Sequence, residues 1–188
     1  MRTDILDFLQ KEIYARCGRT SNRFGMGVYH HIAAVVKNSM LLADRYGADR
    51  EVVMVAAWLH DIASVTDEAL YENHHIYGAE MAEELLTKLD YEPSKISLVQ
   101  DCIRNHRGSV RLDRHRIEEV CVADADAISH FDAVPSLLYL AFVNHQMGME
   151  EGIRFVRDKL ERSYQKMSQE SKEFYQEKYR TVMNVLAF

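Results

Sequence analysis

The chain has 188 residues, 47% of them hydrophobic, with only two prolines, a length that fills one core and falls short of two. A charged fraction of 28% and a net charge of -6 argue against wholesale binding to nucleic acid or to an anionic membrane. No stretch reaches the roughly 20 apolar residues of a membrane span, and the opening Met1-Arg2-Thr3-Asp4-Ile5-Leu6-Asp7 lacks the basic-then-apolar build of a signal peptide, so one cytoplasmic domain over residues 1–188 is expected.

Thr3 is placed to cap a first helix in which Ile5, Phe8, Leu9 and Ile13 recur at helical spacing and which ends near Gly18. Residues 18–27 hold three glycines and no periodicity and read as a loop, whose Arg19 and Arg23 are solvated side chains within reach of an anionic ligand. A second helix runs from about Val28 to Tyr46 and stops at Gly47. Its register turns His31 inward beside Val35 and Leu42, with His30 about 100° away around the axis.

Asp49 caps the next helix, whose run Val52-Val53-Met54-Val55-Ala56-Ala57-Trp58-Leu59 ends abruptly in His60-Asp61. A segment apolar on every side belongs at the centre of a domain, which puts this pair at the floor of a cleft. Burying a polar group without a partner costs on the order of 2–7 kcal/mol, and a charge more. A metal ion would compensate both side chains; for the dipeptide alone, a helix cap at His60 and a solvated Asp61 are an equal alternative.

Residues 62–73 have no clean period and read as a connection with about one helical turn. His74 and His75 open a helix marked by Ala79, Ala82, Leu85, Leu86 and Leu89. Pro93 lies in the first turn of the following one, where Ile96, Val99, Ile103 and His106 form a stripe that ends in histidine, as the central helix does. Arg104, Arg107, Arg111, Arg114 and Arg116 then crowd around His106 and His115 in an otherwise acidic chain. Such a cluster points to a phosphate or carboxylate ligand, because guanidinium groups match those oxygens two at a time.

A helix near Ile117 to Phe131 carries Asp124 and Asp126 on different faces, and spacing does not choose between them. Pro135 opens an apolar helix through Val143, and Gly148 breaks the chain. Two charged amphipathic helices follow, with Ile153, Val156, Leu160 and Tyr164 on one and Phe174, Tyr175, Val182, Met183 and Leu186 on the other; they read as scaffold or as the face of a homodimer. Cys17, Cys102 and Cys121, with no CxxC spacing, read as reduced core residues. Only Ser109-Val110-Arg111-Leu112 alternates like a strand, so an all-α fold is expected.

The inward polar residues are thus His31, His60-Asp61, His74 or His75, His106, and Asp124 or Asp126, spread over successive helices. Imidazole with carboxylate and no cysteine suits Fe, Mn, Zn, Ni or Co, and six such ligands can hold two ions bridged by a carboxylate. In this order the residues resemble the HD-domain superfamily of metal-dependent phosphohydrolases, over roughly residues 28–145, with 146–188 as a C-terminal helical extension of the bundle. Leu59-His60-Asp61-Ile62-Ala63 looks like the family signature and His31-Ile32-Ala33-Ala34-Val35 like its first-histidine helix. His74, four residues before Gly78-Ala79, and His106 are similar to the two extra histidines of dinuclear members, including the HD-type hydrolases of dinucleoside tetraphosphates. Val122-x-x-Ala125-Asp126 resembles the last-ligand motif and favours Asp126 over Asp124.

The chain departs from other branches. Ser64 stands where some mononuclear nucleotidases carry an acid, no Glu-Asp pair follows the HD, and Ile76 after His75 lacks the cyclic dinucleotide phosphodiesterase pattern. The resemblance implies a metal set of His31, His60, Asp61, His74, His106 and Asp126, with Asp61 bridging two ions and a metal-activated hydroxide attacking a phosphate ester or anhydride of a nucleotide or other small molecule. Arg107 is the first choice for the phosphate clamp, with Asp124 and His130 orienting ligands. A di-iron oxygenase of a small organic substrate is the alternative within the family, and a non-catalytic ligand-sensing scaffold a further one.

Overall fold

In the computed structural model, which describes residues 1–107 and 114–187, the described chain forms helices and no strand. In chain order these are α1 (Thr3–Cys17), α2 (Gly27–Tyr46), α3 (Arg50–Leu59), α4 (Ile62–Thr66), a 3-10 turn (Glu68–Asn73), α5 (His74–Lys88) and α6 (Pro93–Asn105). Then come α7 (Ile117–Asp132), α8 (Val134–Tyr139) with a π turn (Leu140–Asn144), α9 (Met149–Lys166) and α10 (Gln169–Val185). The Ser109–Leu112 fragment and Arg111 lie outside the described residues.

The apolar run is the axis of the bundle. Within α3 every residue from Val52 to Leu59 except Met54 is buried, and α1, α2, α6 and α7 pack around it. Asp49 starts this helix by accepting from the amides of Glu51 and Val52 at 2.9 and 3.1 Å, donors that have no partner inside the helix. Gly47, at φ 71°, supplies the left-handed residue that lets α2 end and the chain turn into α3. α7 is nearly as enclosed, with Cys121 to Phe131 buried without interruption.

Close approach needs small residues at two places. A Cβ on Gly78 would lie 3.3 Å from Ile103 and 3.6 Å from the His60 carbonyl, so glycine lets α5 sit against the end of α3 and against α6. A Cβ on Gly152 would fall 2.3 Å from the Phe142 ring, so α9 packs on the π turn only without a side chain there. Both contacts bring a helix to the rim of one cleft.

Three local details differ from the sequence reading. Thr3 is the first residue of α1 and caps nothing; the turn is instead tied down by the Arg2 amide, which donates to the Glu51 carboxylate of α3 at 2.7 Å. Residues 62–73 hold two short helices, because Asp67 accepts from the Ala69 amide at 2.9 Å and restarts the chain after α4 ends. The helix opened by Pro135 is α-helical only to Tyr139 before loosening into the π turn. Cys17, Cys102 and Cys121 are buried and free, and no helix among the described residues is long and apolar enough to cross a membrane.

Candidate metal centre

The same local device aims three histidines. His60 and His106 directly follow the ends of α3 and α6, and His74 begins α5 right after the 3-10 turn. In each, Nδ1 meets the carbonyl three residues earlier: Ala57 at 2.8 Å, Tyr71 at 2.7 Å and Ile103 at 2.6 Å. The last carbonyls of a helix lack partners within it, and the His60 and His106 rings satisfy acceptors of that kind, while the Tyr71 carbonyl also accepts from the His74 amide. A carbonyl can only accept, so Nδ1 carries a proton in each ring and Nε2 is the nitrogen turned to the cleft.

Those nitrogens converge. Ligand-type atoms of His31, His60 and Asp126 lie within 4.8 Å of one another, and so do those of Asp61, His74 and His106. Asp61, between α3 and α4, joins the two triplets: its Oδ2 is 3.5 Å from His60 Nε2, while its Oδ1 is 3.5 Å from His74 Nε2 and 4.0 Å from His106 Nε2. The Ser64 hydroxyl donates to Asp61 Oδ1 at 3.2 Å and fixes the carboxylate. His31 Nε2 lies 3.2 Å from Asp126 Oδ1, and the His130 ring stacks on His31 with centroids 4.8 Å apart.

These residues fit a cation by their own electrostatics. His60 Nε2 is buried with no hydrogen-bond partner. His74 Nε2 and His106 Nε2 face each other at 3.3 Å across the other triplet. Burial lowers the pKa of His60, and burial reinforced by His60 takes that of His106 down to about 3, so both rings are neutral and free to ligate at neutral pH. Asp61 is an ordinary carboxylate at neutral pH, and with the Ser64 hydroxyl on Oδ1 it presents an anionic oxygen to each triplet. Asp126 is likewise kept ionised against its burial, chiefly by Lys166. Imidazole nitrogens grouped with carboxylate oxygens are a donor set that suits a divalent transition ion.

The open choices of the sequence resolve by position. His74 belongs to a triplet, whereas His75 packs edge-on against it with a buried, unpartnered Nδ1. Asp126 faces the cleft. Asp124, fully buried, instead accepts from the Ser168 amide at 3.0 Å and from its hydroxyl, and so holds the turn between α9 and α10. Asp124 therefore serves that turn rather than the cleft; His130, whose Nδ1 meets the Ser163 hydroxyl at 3.1 Å, stacks on His31.

The arginine cluster disperses. Arg104 turns to Asp101 at 3.5 Å, and Arg114 folds inward to the carbonyls of Asn105 and Lys166 at 3.4 and 3.2 Å. Arg107 lines the cleft and also donates to the Glu72 carbonyl. The cations that sequence reasoning missed come from α9, taken there for scaffold or a dimer face: Lys159, Arg162 and Lys166 line the cleft together with Ser163. Their spacing of three, four and seven was the available signal, since it places them on one side of a helix.

Residues 28–130 match the HD domain family. Ribonuclease Y of Petrotoga mobilis is 30% identical over 120 residues, which are 63% of this chain and 21% of that protein, so the chain spans about a fifth of its curated relative. The crystal structure of Bacillus subtilis YpgQ in complex with ADP superposes with a TM-score of 0.69 at 17% identity, over 96% of this chain and 93% of that one. A predicted HD superfamily hydrolase from an uncultured Thermotogales bacterium gives 0.53 at 23% identity over 85% of each chain. At these identities the structures speak for the fold alone. The match over residues 28–130 spans every histidine and aspartate of the two triplets, and with it this chain belongs to the HD-domain family.

Proposed function

We propose that the protein is a metal-dependent phosphohydrolase that cleaves a phosphate ester or anhydride of a nucleotide or another small molecule. One observation carries this reading: a cleft of about 400 Å³ is lined both by His31, Asp61, His74, His106 and Asp126 of the two triplets and by Lys159, Arg162 and Arg107. That volume suits a small-molecule ligand, for which pockets run from about 300 to 1,000 Å³. His31, His60 and Asp126 would hold one divalent transition ion (Fe, Mn, Zn, Ni or Co) and Asp61, His74 and His106 a second, and such ions would supply Lewis acidity and a lowered pKa of coordinated water.

The chain's own residues do the rest. Asp61 turns one oxygen toward each triplet and so keeps them one electrostatic unit. Lys159, largely desolvated so that its pKa falls, and Arg162 direct positive charge into a space where charge is poorly screened, which suits non-bridging phosphoryl oxygens. Arg107, which lines the same cleft, adds a third donor. Phe24, Val28, Leu140 and Phe155 line the remainder and offer an apolar seat to the uncharged part of a substrate. The ADP bound by YpgQ supports a nucleotide as that substrate, and the likeness to a ribonuclease supports phosphoester chemistry.

The test combines metal content with anaerobic turnover. Protein purified without added metal is expected to carry transition metal approaching two ions per chain, falling toward one in His74→Ala or His106→Ala. With Mn or Co in place of Fe, it is expected to release phosphate from p-nitrophenyl phosphate or from members of a nucleotide panel in the absence of oxygen. Oxygen consumption by the iron form with no phosphate released from any ester or anhydride would overturn the reading in favour of an oxygenase. Metal binding with neither activity would leave a ligand-sensing scaffold.

A further inference from the structure

The two triplets are not equivalent in charge. Asp126 already has a partner on each oxygen, with His31 Nε2 at 3.2 Å from Oδ1 and the Lys166 ammonium paired with Oδ2. Asp61, by contrast, has no lysine or arginine partner among the described residues; its neighbours are the Ser64 hydroxyl and the histidine Nε2 atoms. The facing Nε2 atoms of His74 and His106, 3.3 Å apart, belong to this second triplet as well. The Lys166 ammonium thus meets the carboxylate of one triplet, while the carboxylate of the other, Asp61, has no such cation.

Lys166 is built into its place. It is the last residue of α9, and its side chain and that of Asp126 are each only 10% exposed. Its Nζ also lies 3.5 Å from the His106 carbonyl. The backbone around it is fixed from two directions, by Arg114 on the Lys166 carbonyl at 3.2 Å and by Asp124 on the Ser168 amide two residues on. A lysine loses much rotamer freedom when it is ordered, and a pinned backbone keeps that loss from reaching the main chain too.

We infer that Lys166 is an internal counter-cation of the His31, His60 and Asp126 triplet, one that neutralises Asp126 in the metal-free protein and makes this the weaker of the two ion sites, so that the Asp61, His74 and His106 triplet loads first. The inference rests on the metal-centre reading above. A fixed ammonium beside a carboxylate repels an arriving dication and competes for the same oxygens, and both effects are strong where side chains are largely buried. The second triplet carries no such competitor.

The experiment is a Mn2+ titration of the metal-free protein, with free Mn2+ followed by electron paramagnetic resonance and heat by calorimetry. Wild-type protein is expected to bind a first equivalent at least about tenfold more tightly than a second. His74→Ala is expected to remove the tight event and His31→Ala the weak one. Lys166→Met, with Lys166→Gln as a second variant should the first fail to fold by circular dichroism, is expected to tighten the weak event at least about tenfold and to leave the tight one within about threefold. Lys166→Arg keeps the charge and should keep the weak event weak. Two binding steps left unchanged in Lys166→Met or Lys166→Gln, or a tight event lost in His31→Ala, would overturn the role of Lys166 and leave the metal centre standing. No Mn2+ bound by wild type or any variant would overturn the metal centre itself.

Discussion

Two cation-rich stretches flank the cleft, and they are built on opposite plans. Residues 104–116 concentrate five arginines, yet among the described ones Arg104 pairs with Asp101 on the surface, Arg114 folds back onto carbonyls, and only Arg107 lines the cleft. α9 spreads Lys159, Arg162 and Lys166 among Val156, Leu160 and Ser163, and all three cations line it. Charge density along a chain says where cations are plentiful. Helical register against a packed neighbour says where they point, and α9 is fixed in register by Gly152 against Phe142 and by the buried Val156 and Leu160.

The largest effect should come from the α9 side. Lys159→Met combined with Arg162→Ala is expected to lower kcat/KM for phosphate release about 100- to 1,000-fold, the size of losing preorganised donors from a water-poor site, with metal content unchanged. Elemental analysis alongside steady-state kinetics checks both halves. A loss of metal would mean that these cations shape the ligand triplets, and a loss of less than tenfold would remove α9 from the clamp.

Breaking the register rather than the charges should cost somewhat less. Asp124→Ala deprives the Ser168 amide and hydroxyl of their buried acceptor and releases the turn that follows Lys166. Buried donors left unsatisfied cost roughly 1–3 kcal/mol, so a loss of about 2 kcal/mol and a drop of about 4–8 °C in Tm are expected. Thermal melts followed by circular dichroism measure it. An unchanged Tm would show that packing alone holds α9.

The sequence revealed most where burial is one-sided. His60-Asp61 was legible because an apolar run ended in it, and His106 because it closes the stripe of Ile96, Val99 and Ile103. α7 defeated the same reasoning, since eleven consecutive residues from Cys121 to Phe131 are buried and a helix enclosed on all sides has no polar face to give its register. There only the family resemblance pointed to Asp126, and the coordinates show why the two carboxylates differ: one meets His31, the other Ser168. The α9 cations were misread for the opposite reason. Lysine and arginine on an amphipathic helix are ordinarily solvated, and nothing in the spacing tells that a cleft lies over that face.

Arg107 separates the two stretches more finely. It is the member of the arginine cluster that reaches the cleft, but its guanidinium is shared with the Glu72 carbonyl. Arg107→Ala is expected to lower kcat/KM about tenfold, a loss of about 1.4 kcal/mol and well short of the α9 double variant. A loss in Arg107→Ala that matched or exceeded it would invert the comparison.

The smallest expected effect is also the sharpest control on charge density. Arg104 belongs to the same cluster as Arg107, three residues earlier, and differs from it in direction alone: its partner Asp101 lies one turn back on α6, 3.5 Å away, and both side chains are 44% exposed. An ion pair this open to solvent is screened and entropically costly to hold, so its removal should change stability by no more than about 0.5 kcal/mol. If position in the cleft is what counts, Arg104→Ala should leave kcat/KM within about twofold of wild type at physiological salt. Were density the operative quantity, removing any arginine of the cluster would weaken the field over the cleft, and Arg104→Ala would approach Arg107→Ala with a gap that closes as salt is raised. Kinetics of both variants across a range of ionic strength therefore decide between direction and density.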